Sequence, residues 1–368
     1  MWKLKQLLLG CWRGSLCSLI ELNTMKPVLI CGGVGSKMWP ESKPTSPKHF
    51  LPLINGKSLF QLNWEALRLK FKPEDIYLQT NDEQAKIATE QVPEVVDQNV
   101  FIEPEMRNQG PATCLAAANL YKIDPDEPFI LVQADVLREP ADKFIEMVEV
   151  CDRLIKKEGK LITGGNKPEY AIMGIDYLIK GEEVGREGSV GVFKVDQFMW
   201  RSSKEAVESL VADGRALTHA NHYAWTPRKL MELLQARKPE WYGPLMAYIN
   251  GADLTEQYAL MPKGPMEDVT QEVFTEALVV ELPFKWIDFG TWESVAKYLT
   301  EKGQYQSPEG LVEIESSNNF VRVPAGKKVA IIGVSDLVVI DTGESLLICP
   351  KNESGKVGEV AKALEAKN

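Results

Sequence analysis

Short β-rich runs alternate with amphipathic helical patterns from Val28 to about Ile162, and this alternation narrows most what the chain can fold into. The β-rich runs are Val28–Cys31, Ile76–Gln79, Val100–Ile102, Phe129–Gln133 and Lys160–Thr163. Between them, Ser58–Leu69, Asp82–Glu90, Ala112–Tyr121 and Ala141–Lys157 carry apolar residues at helical spacing. Strand–helix–strand repetition implies crossover connections, and so predicts an α/β, Rossmann-like fold with a mainly parallel, mixed sheet flanked by helices. In such sheets ligands bind beyond the carboxyl ends of the strands.

At 368 residues, and with roughly 150 residues per domain, two or three domains are expected. Residues 164–300 mix strands (Ser189–Val195, Val279–Leu282) with helices (Lys204–Ala212, Arg228–Ala236, Thr291–Thr300), and are expected to continue the sheet and to cover its edge. Beyond Gln304 the pattern turns to short β runs (Phe320–Val323, Val329–Ile332, Leu337–Asp341, Ser345–Cys349) followed by an amphipathic Val357–Ala366. The expected division is therefore an N-terminal extension over 1–24, a main domain over 25–303 and a small β-rich module with a terminal helix over 304–368. No internal repeat of 20–50 residues is visible. The extension contains Lys3, Lys5 and a Leu8-Leu9-Gly10-Cys11 run that resembles a lipoprotein cleavage site. Its apolar core falls short of the roughly 7–15 residues of a signal peptide, so Met25 is read as the functional start.

Composition removes several function classes. Lys plus Arg number 42 against 52 Asp plus Glu, a formal charge of −10, which disfavours nucleic acid as a partner. No run reaches the roughly 18 apolar residues of a membrane span. The six cysteines lack C-x-x-C spacing and several lie in apolar runs, as expected of reduced, buried thiols in a cytoplasmic protein. Only three histidines exist, so chemistry should rest on carboxylates, lysines and backbone.

The first β run opens into Gly32-Gly33-Val34-Gly35-Ser36-Lys37, followed by Lys43, Pro44, Pro47 and Lys48. Glycines let backbone N–H groups turn inward as an anion cradle, and lysines on a Pro-stiffened loop supply the cationic charge that a triphosphate demands. A dinucleotide fingerprint would need a third glycine at Met38, and a P-loop at Gly56-Lys57-Ser58 would need one at Leu51.

Gly32–Leu51 resembles the signature of nucleoside-diphosphate-sugar pyrophosphorylases, and Trp39-Pro40 with Pro47-Lys48-His49-Phe50-Leu51 is similar to its mannose-1-phosphate guanylyltransferase branch. Ser36 and Lys37 stand where that family has Thr and Arg; a bidentate phosphate fork becomes a point charge. Glu103–Ala112 resembles the family's E-P-x-x-R-N-T-A-P-A segment, which implies that Arg107, Asn108 and Gly110 lie near the nucleotide, with Gly110 expected as the N-cap before Pro111. Asp135 closes the run Ile130–Ala134, and Trp286-Ile287-Asp288-Phe289-Gly290-Thr291-Trp292 resembles the family's W-x-D-x-G-x-W. Two such carboxylates with substrate phosphates suit Mg²⁺, the implied cofactor. Ser317–Asn319 and Val329–Thr342 also resemble the family's tail.

The departures fall in the half that reads the sugar. Phe193-Lys194-Val195-Asp196-Gln197 replaces F-x-E-K-P, so the Glu and Lys are missing, and Lys194 is read as a solvated strand lysine. His219-Ala220-Asn221-His222-Tyr223 replaces N-x-G-M-F, with His219 and His222 read as surface or lid histidines. Val136 takes the place of a His, and Pro168–Tyr177 keeps the family's P-E-T-G-Y-G-Y only loosely, Gly174 being its best surviving residue.

The resemblance implies the reaction of mannose 1-phosphate and GTP to GDP-mannose and pyrophosphate. Lys37, Lys48 and Asp135 are its implied catalytic residues, Asp135 and Asp288 its metal ligands. Gly32, Gly33, Gly35, Ser36, Arg107, Asn108, Gly110 and Gly174 are the implied substrate contacts. The rival readings are a different hexose 1-phosphate or nucleotide, and a catalytically silent homologue that binds a nucleotide sugar. A homodimer is a possible assembly.

Overall fold

The computed structural model describes residues 25–172, 175–201 and 203–366. The expected extension and Gly174 lie outside the described residues. Eleven strands build the main body: β1 (Lys26–Ile30), β2 (Tyr77–Thr80), β3 (Val100–Ile102), β4 (Phe129–Gln133), β5 (Val136–Glu139), β6 (Ile162–Asn166), β7 (Tyr177–Glu187), β8 (Val190–Met199), β9 (Ala216–Trp225), β10 (Leu278–Glu281) and β11 (Lys285–Asp288). Nine of them form one sheet in the order β3-β2-β1-β4-β9-β6-β10-β8-β7, and β7 also pairs back onto β9. β1 to β4 run parallel, β9 enters antiparallel between β4 and β6, and β10 runs parallel to β6, giving the mixed α/β architecture expected.

Continuous apolar runs fit strands covered on both faces. Along β1 and β4, Val28 and Leu131 pack into one core while Leu29, Ile130 and Val132 pack into the other. The helices α1 (Leu59–Leu67), α2 (Asp82–Gln91) and α4 (Ala141–Glu158) cover the second face. The first is covered by α3 (Gln109–Ile123) and the helices Pro227–Arg237 and Pro239–Ile249. α1 begins on a Ser58–Gln61 capping box, which satisfies two N-terminal N–H groups reciprocally.

α3 starts one turn earlier than its sequence suggested. Asn108, not Gly110, is the N-cap: at φ 73° its side chain accepts from the Gln109 N–H at 2.8 Å. Gly110 is instead a packing residue, because a Cβ there would lie 2.2 Å from the Trp241 ring. Among the described residues no helix is long and apolar enough to cross a membrane.

The C-terminal module contains β12 (Leu311–Ile314), β13 (Phe320–Arg322), β14 (Val329–Ile332), β15 (Leu337–Asp341) and β16 (Leu346–Pro350). Leu311 pairs with Val329 and Phe320 with Val338, both parallel, so successive turns of chain stack with a constant offset of 18 residues. Ser317 and Ser335, like Asn318 and Asp336, hydrogen-bond across that same offset. This is an internal repeat shorter than the 20–50 residues sought in the sequence. The module does not stand apart: Phe320, Val338, Ile340 and Val357 share one core with Met38, Leu51, Phe289 and Trp292.

Candidate active site

β1 ends under the glycine loop, where the Cys31 N–H donates to the Gln79 carbonyl. Gly33 and Gly35 take φ 71° and 78°, a conformation that glycine adopts without steric cost. The loop is fastened back on itself: Ser42 Oγ donates to the Gly35 carbonyl at 2.8 Å and the Lys48 N–H to the Val34 carbonyl at 3.1 Å. Gly35 has a second role. A Cβ there would lie 2.5 Å from Lys48 Cγ, so its absence is what lets the Lys48 stem pass beneath the loop.

Lys48 Nζ lies 2.7 Å from Asp135 Oδ2 and 3.7 Å from Asp288 Oδ1. Strand geometry explains the meeting. Asp135 sits in the tight connection between β4 and β5, and β11 pairs antiparallel with β5 in the register Asp288↔Val136, which brings Asp288 beside it. Lys48 is largely buried, Asp135 partly so and Asp288 half-exposed, and loss of hydration disfavours charge on all three groups. At Lys48 the two carboxylates outweigh burial and raise the pKa above the ordinary lysine value. Asp135 is held below the usual carboxylate range by Lys48 although burial opposes it, whereas Asp288 is raised, by burial first and by like-charged Asp135 in addition.

These groups face a cavity of about 480 Å³ whose wall includes Gly32, Gly33, Lys48, Asn108, Asp135 and Asp288. A larger groove of about 970 Å³, lined by Leu62, Leu69, Leu137 and Phe284 among others, contains none of the loop residues. Ser36 and Lys37 form the turn that leaves the loop (Ser36–Met38), and Lys37 is exposed, its charge offsetting part of the rise in the Asp288 pKa. Arg107 is not among the cavity residues: its guanidinium is held by Glu105 and by the Met261 carbonyl. Gly110 packs on Trp241 and likewise does not line the cavity.

The positions that depart from the family pattern also have definite places. Val195 is buried in the core and Asp196 bonds Arg215. Neither lines the cavity. Lys194 is exposed and pairs with Glu182 at 2.6 Å, as a solvated strand lysine should. His219 and His222 are not surface or lid residues; both are buried on β9, His219 against Thr163 Oγ1 and His222 accepting from Arg138 Nε, each at 3.0 Å. His222 has partners at both ring nitrogens, whereas His219 Nδ1 is left without a hydrogen bond, 3.8 Å from Glu267; burial pulls both pKa values down, to about 3 for His219 and well below the usual value for His222.

Sequence reading missed Gln79, Glu103, Gln133, Asn221 and Trp286, which also line the cavity. Gln79 and Gln133 sit near the carboxyl ends of parallel strands, where a polar residue after an apolar run was the available signal.

Residues 26–303 match the family model described as nucleotidyl transferase, and residues 309–364 match the mannose-phosphate isomerase/GMP-like β-helix domain. The mannose-1-phosphate guanylyltransferase of Escherichia coli K12 is 26% identical over 358 residues, covering 94% of this chain and 74% of that protein. The xanthan biosynthesis protein XanB of Xanthomonas campestris pv. campestris strain B100 is 24% identical over 360 residues, covering 94% and 74%. A crystal structure from Thermus thermophilus, described as a mannose-1-phosphate geranyltransferase, superposes with a TM-score of 0.80 at 26% identity and covers 94% of this chain and all of that one. Given the match over most of its length, the chain belongs to the nucleotidyl transferase family, on the branch that mannose-1-phosphate guanylyltransferases occupy.

Proposed function

We propose that this protein transfers a guanylyl group from GTP to mannose 1-phosphate, forming GDP-mannose and releasing pyrophosphate. The observation that carries the reading is the juxtaposition of Lys48, Asp135 and Asp288 beneath the glycine loop, in a chain whose relatives are named mannose-1-phosphate guanylyltransferases. The sugar-phosphate oxygen attacks the α-phosphorus in line: one P–O bond forms, the bond to pyrophosphate breaks, and no covalent enzyme intermediate is required. Such a transfer depends on positioning and electrostatics, so the burial of all three histidines is no obstacle. The backbone of Gly32 and Gly33 cradles phosphate oxygens, while Lys48 and Lys37 offset their charge.

Asp135 and Asp288 suit Mg²⁺ as ligands. Both reach the same point, within 3.7 Å of one nitrogen, and no cluster of three His, Cys, Asp or Glu donors accompanies them among the described residues. That is the donor set of a cation which keeps its other positions for phosphate and water. When bound, Mg²⁺ supplies neutralisation of phosphate charge. The test is pyrophosphate release by the purified protein across a grid of nucleoside triphosphates and hexose 1-phosphates. GTP with mannose 1-phosphate should give the highest kcat/KM; a maximum at another pair would replace the substrates, and no release with any pair would remove the enzyme reading.

A further inference from the structure

Asp135 stands at a junction between two sheets. β4 belongs to the nine-stranded sheet, whereas β5 pairs with β11, so the chain leaves one ladder at Gln133 and joins another at Val136. The Ala134 N–H still reaches the Ile30 carbonyl of β1 at 3.0 Å. The carbonyls of the junction, which need partners once buried, are taken by two side chains instead. Arg138 Nη1 donates to the Gln133 carbonyl at 3.1 Å and to the Val136 carbonyl at 3.2 Å. Asn63 Nδ2, from α1, donates to the Ala134 and Val136 carbonyls at 3.3 and 2.8 Å. The carbonyls on both sides of Asp135 are thus held by groups that lie outside either ladder.

The two side chains are themselves locked. Arg138 Nη1 donates to Asn63 Oδ1 at 2.5 Å, Nη2 to Gln133 Oε1 at 3.1 Å and Nε to His222 Nε2 at 3.0 Å. A guanidinium only donates, so His222 Nε2 must accept, and its Nδ1 carries the proton given to the Ala220 carbonyl at 3.0 Å. The guanidinium also lies over the Phe144 ring, 5.1 Å from its centroid. None of these acceptors is charged. Arg138 is buried, and burial pulls its pKa down to about 9, with Asp135 opposing. A buried cation bonded to neutral acceptors is a costly way to fill a core beside Phe144, where an apolar side chain would be cheaper. What the guanidinium supplies instead is a rigid planar fork, with donors in fixed directions on either side of Asp135.

We propose that Arg138 is the positioning residue for Asp135: its fork, with Asn63 as a second arm, fixes the β4–β5 junction so that the carboxylate meets Lys48 and Asp288. The consequence for rate rests on the nucleotidyl-transfer reading above. Arg138→Met removes every donor and keeps an unbranched stem. Arg138→Lys keeps the charge, but one ammonium cannot reach Asn63 and the Gln133 and Val136 carbonyls with the geometry of a fork. Asn63→Ala removes the second arm at a helical position and decides the matter should Arg138→Met fail to fold. In pyrophosphate release, Arg138→Met should lower kcat about tenfold or more and leave both substrate KM values within about threefold; Asn63→Ala should show the same split with a loss of about threefold or more. Arg138→Lys should stay closer to Arg138→Met than to wild type. Hydrogen exchange reads the junction without turnover: the amides of residues 134–136 should exchange about tenfold or more faster in Arg138→Met and Asn63→Ala, while those of α3, on the other face of the sheet, keep their wild-type rates. Unchanged exchange at the junction overturns the proposal, as does faster exchange spread over the whole chain, a loss confined to KM, or full recovery in Arg138→Lys, which would assign the effect to charge. Absence of turnover in the wild type, with faster exchange confined to the junction in the variants, removes the reaction and leaves the clamp.

Discussion

Lys48→Met deletes the ammonium between Asp135 and Asp288 but keeps an unbranched stem in the space that Gly35 leaves open. At an effective dielectric constant of about 20, unit charges as close as Lys48 Nζ and Asp135 Oδ2 attract by about 6 kcal/mol, and those as close as Lys48 and Asp288 by about 4–5 kcal/mol. Desolvation of buried charges cancels much of that attraction, so equilibrium stability is a poor readout of the residue's contribution. The transition state is the better one. Loss of one preorganised electrostatic donor costs about 2–4 kcal/mol there, or about 30- to 1,000-fold in kcat/KM. Lys43→Ala is the control. Lys43 is half-exposed and pairs at 2.8 Å with exposed Glu344, and such surface pairs contribute about 0–1 kcal/mol, a change below about fivefold. Initial rates of pyrophosphate release at saturating Mg²⁺ measure both. A second readout has the opposite sign: Lys48 and a divalent cation compete for the same Asp135 oxygen, so Lys48→Met should reach half-maximal rate at lower Mg²⁺. A Lys48→Met enzyme within about threefold of wild type, or equal losses in both variants, would refute the reasoning.

Gly35→Ala places a methyl group 2.5 Å from Lys48 Cγ at φ 78°, and should cost about 1–3 kcal/mol in strain with a kcat/KM loss close to that of Lys48→Met in the same assay. The three histidines are buried, and their folded-state pKa values are lowered, to about 4 for His49 and about 3 for His219. The unfolded chain therefore takes up protons that the folded chain refuses. Stability should fall as pH drops below about 6.5, by about 1.4 kcal/mol per pH unit for each histidine, partly offset by Glu103 and Glu267, whose raised values give the opposite sign. Urea midpoints between pH 7.5 and 5.5 test this, and His222→Gln, which can still accept from Arg138, should flatten the slope. Gly358→Val brings a side chain to 3.2 Å from Ser36 Oγ and against Lys37; it should raise the triphosphate KM severalfold with a small change in melting temperature, and an unchanged KM would show that the turn tolerates the intrusion.

The framework is legible wherever local pattern and tertiary role agree. Val100–Ile102, Phe129–Gln133, Val329–Ile332 and Leu337–Asp341 are strands over the residues their apolar runs mark. β9 does not read as a strand, because Leu-Thr-His-Ala-Asn-His-Tyr contains too many polar groups for a central position. Thr163 and Arg138, supplied by β6 and β5, each give one of its histidines a hydrogen-bond partner there. β7 is hidden for a similar reason: from Glu182 onward it is charged and mostly exposed, pairing with β8 past several register shifts. At the cavity, Lys48, Asp135 and Asp288 can be placed because a strand-end carboxylate or a lysine after a glycine loop is conspicuous. Gln79, Gln133 and Asn221 carry no charge, and which of their hydrogen bonds are left unmade, on Gln79 and Asn221, or made, from Gln133 to Asn221 and Arg138, is set only by the fold.

The same principle explains how the C-terminal module bears on the loop. Segment 36–43 has little regular structure of its own: one short turn over Ser36–Met38 and the bonds that tie it to Gly35 and Ser46. Its other fastenings come from far along the chain. Trp292 Nε1 donates to the Trp39 carbonyl at 2.9 Å, Arg322 grips Glu41 through two bonds of 2.8 and 3.0 Å, Lys43 reaches Glu344, and Gly358 of the terminal helix (Val357–Glu365) lies against Ser36 and Lys37. A paired arginine–carboxylate fork and a buried tryptophan fix direction as well as distance. A glycine-rich loop gains phosphate-binding geometry at the cost of backbone entropy. Here that entropy is restrained by Trp292 and by a module whose own core runs continuously into Met38 and Leu51, so the 18-residue coil and the loop are parts of one packed unit.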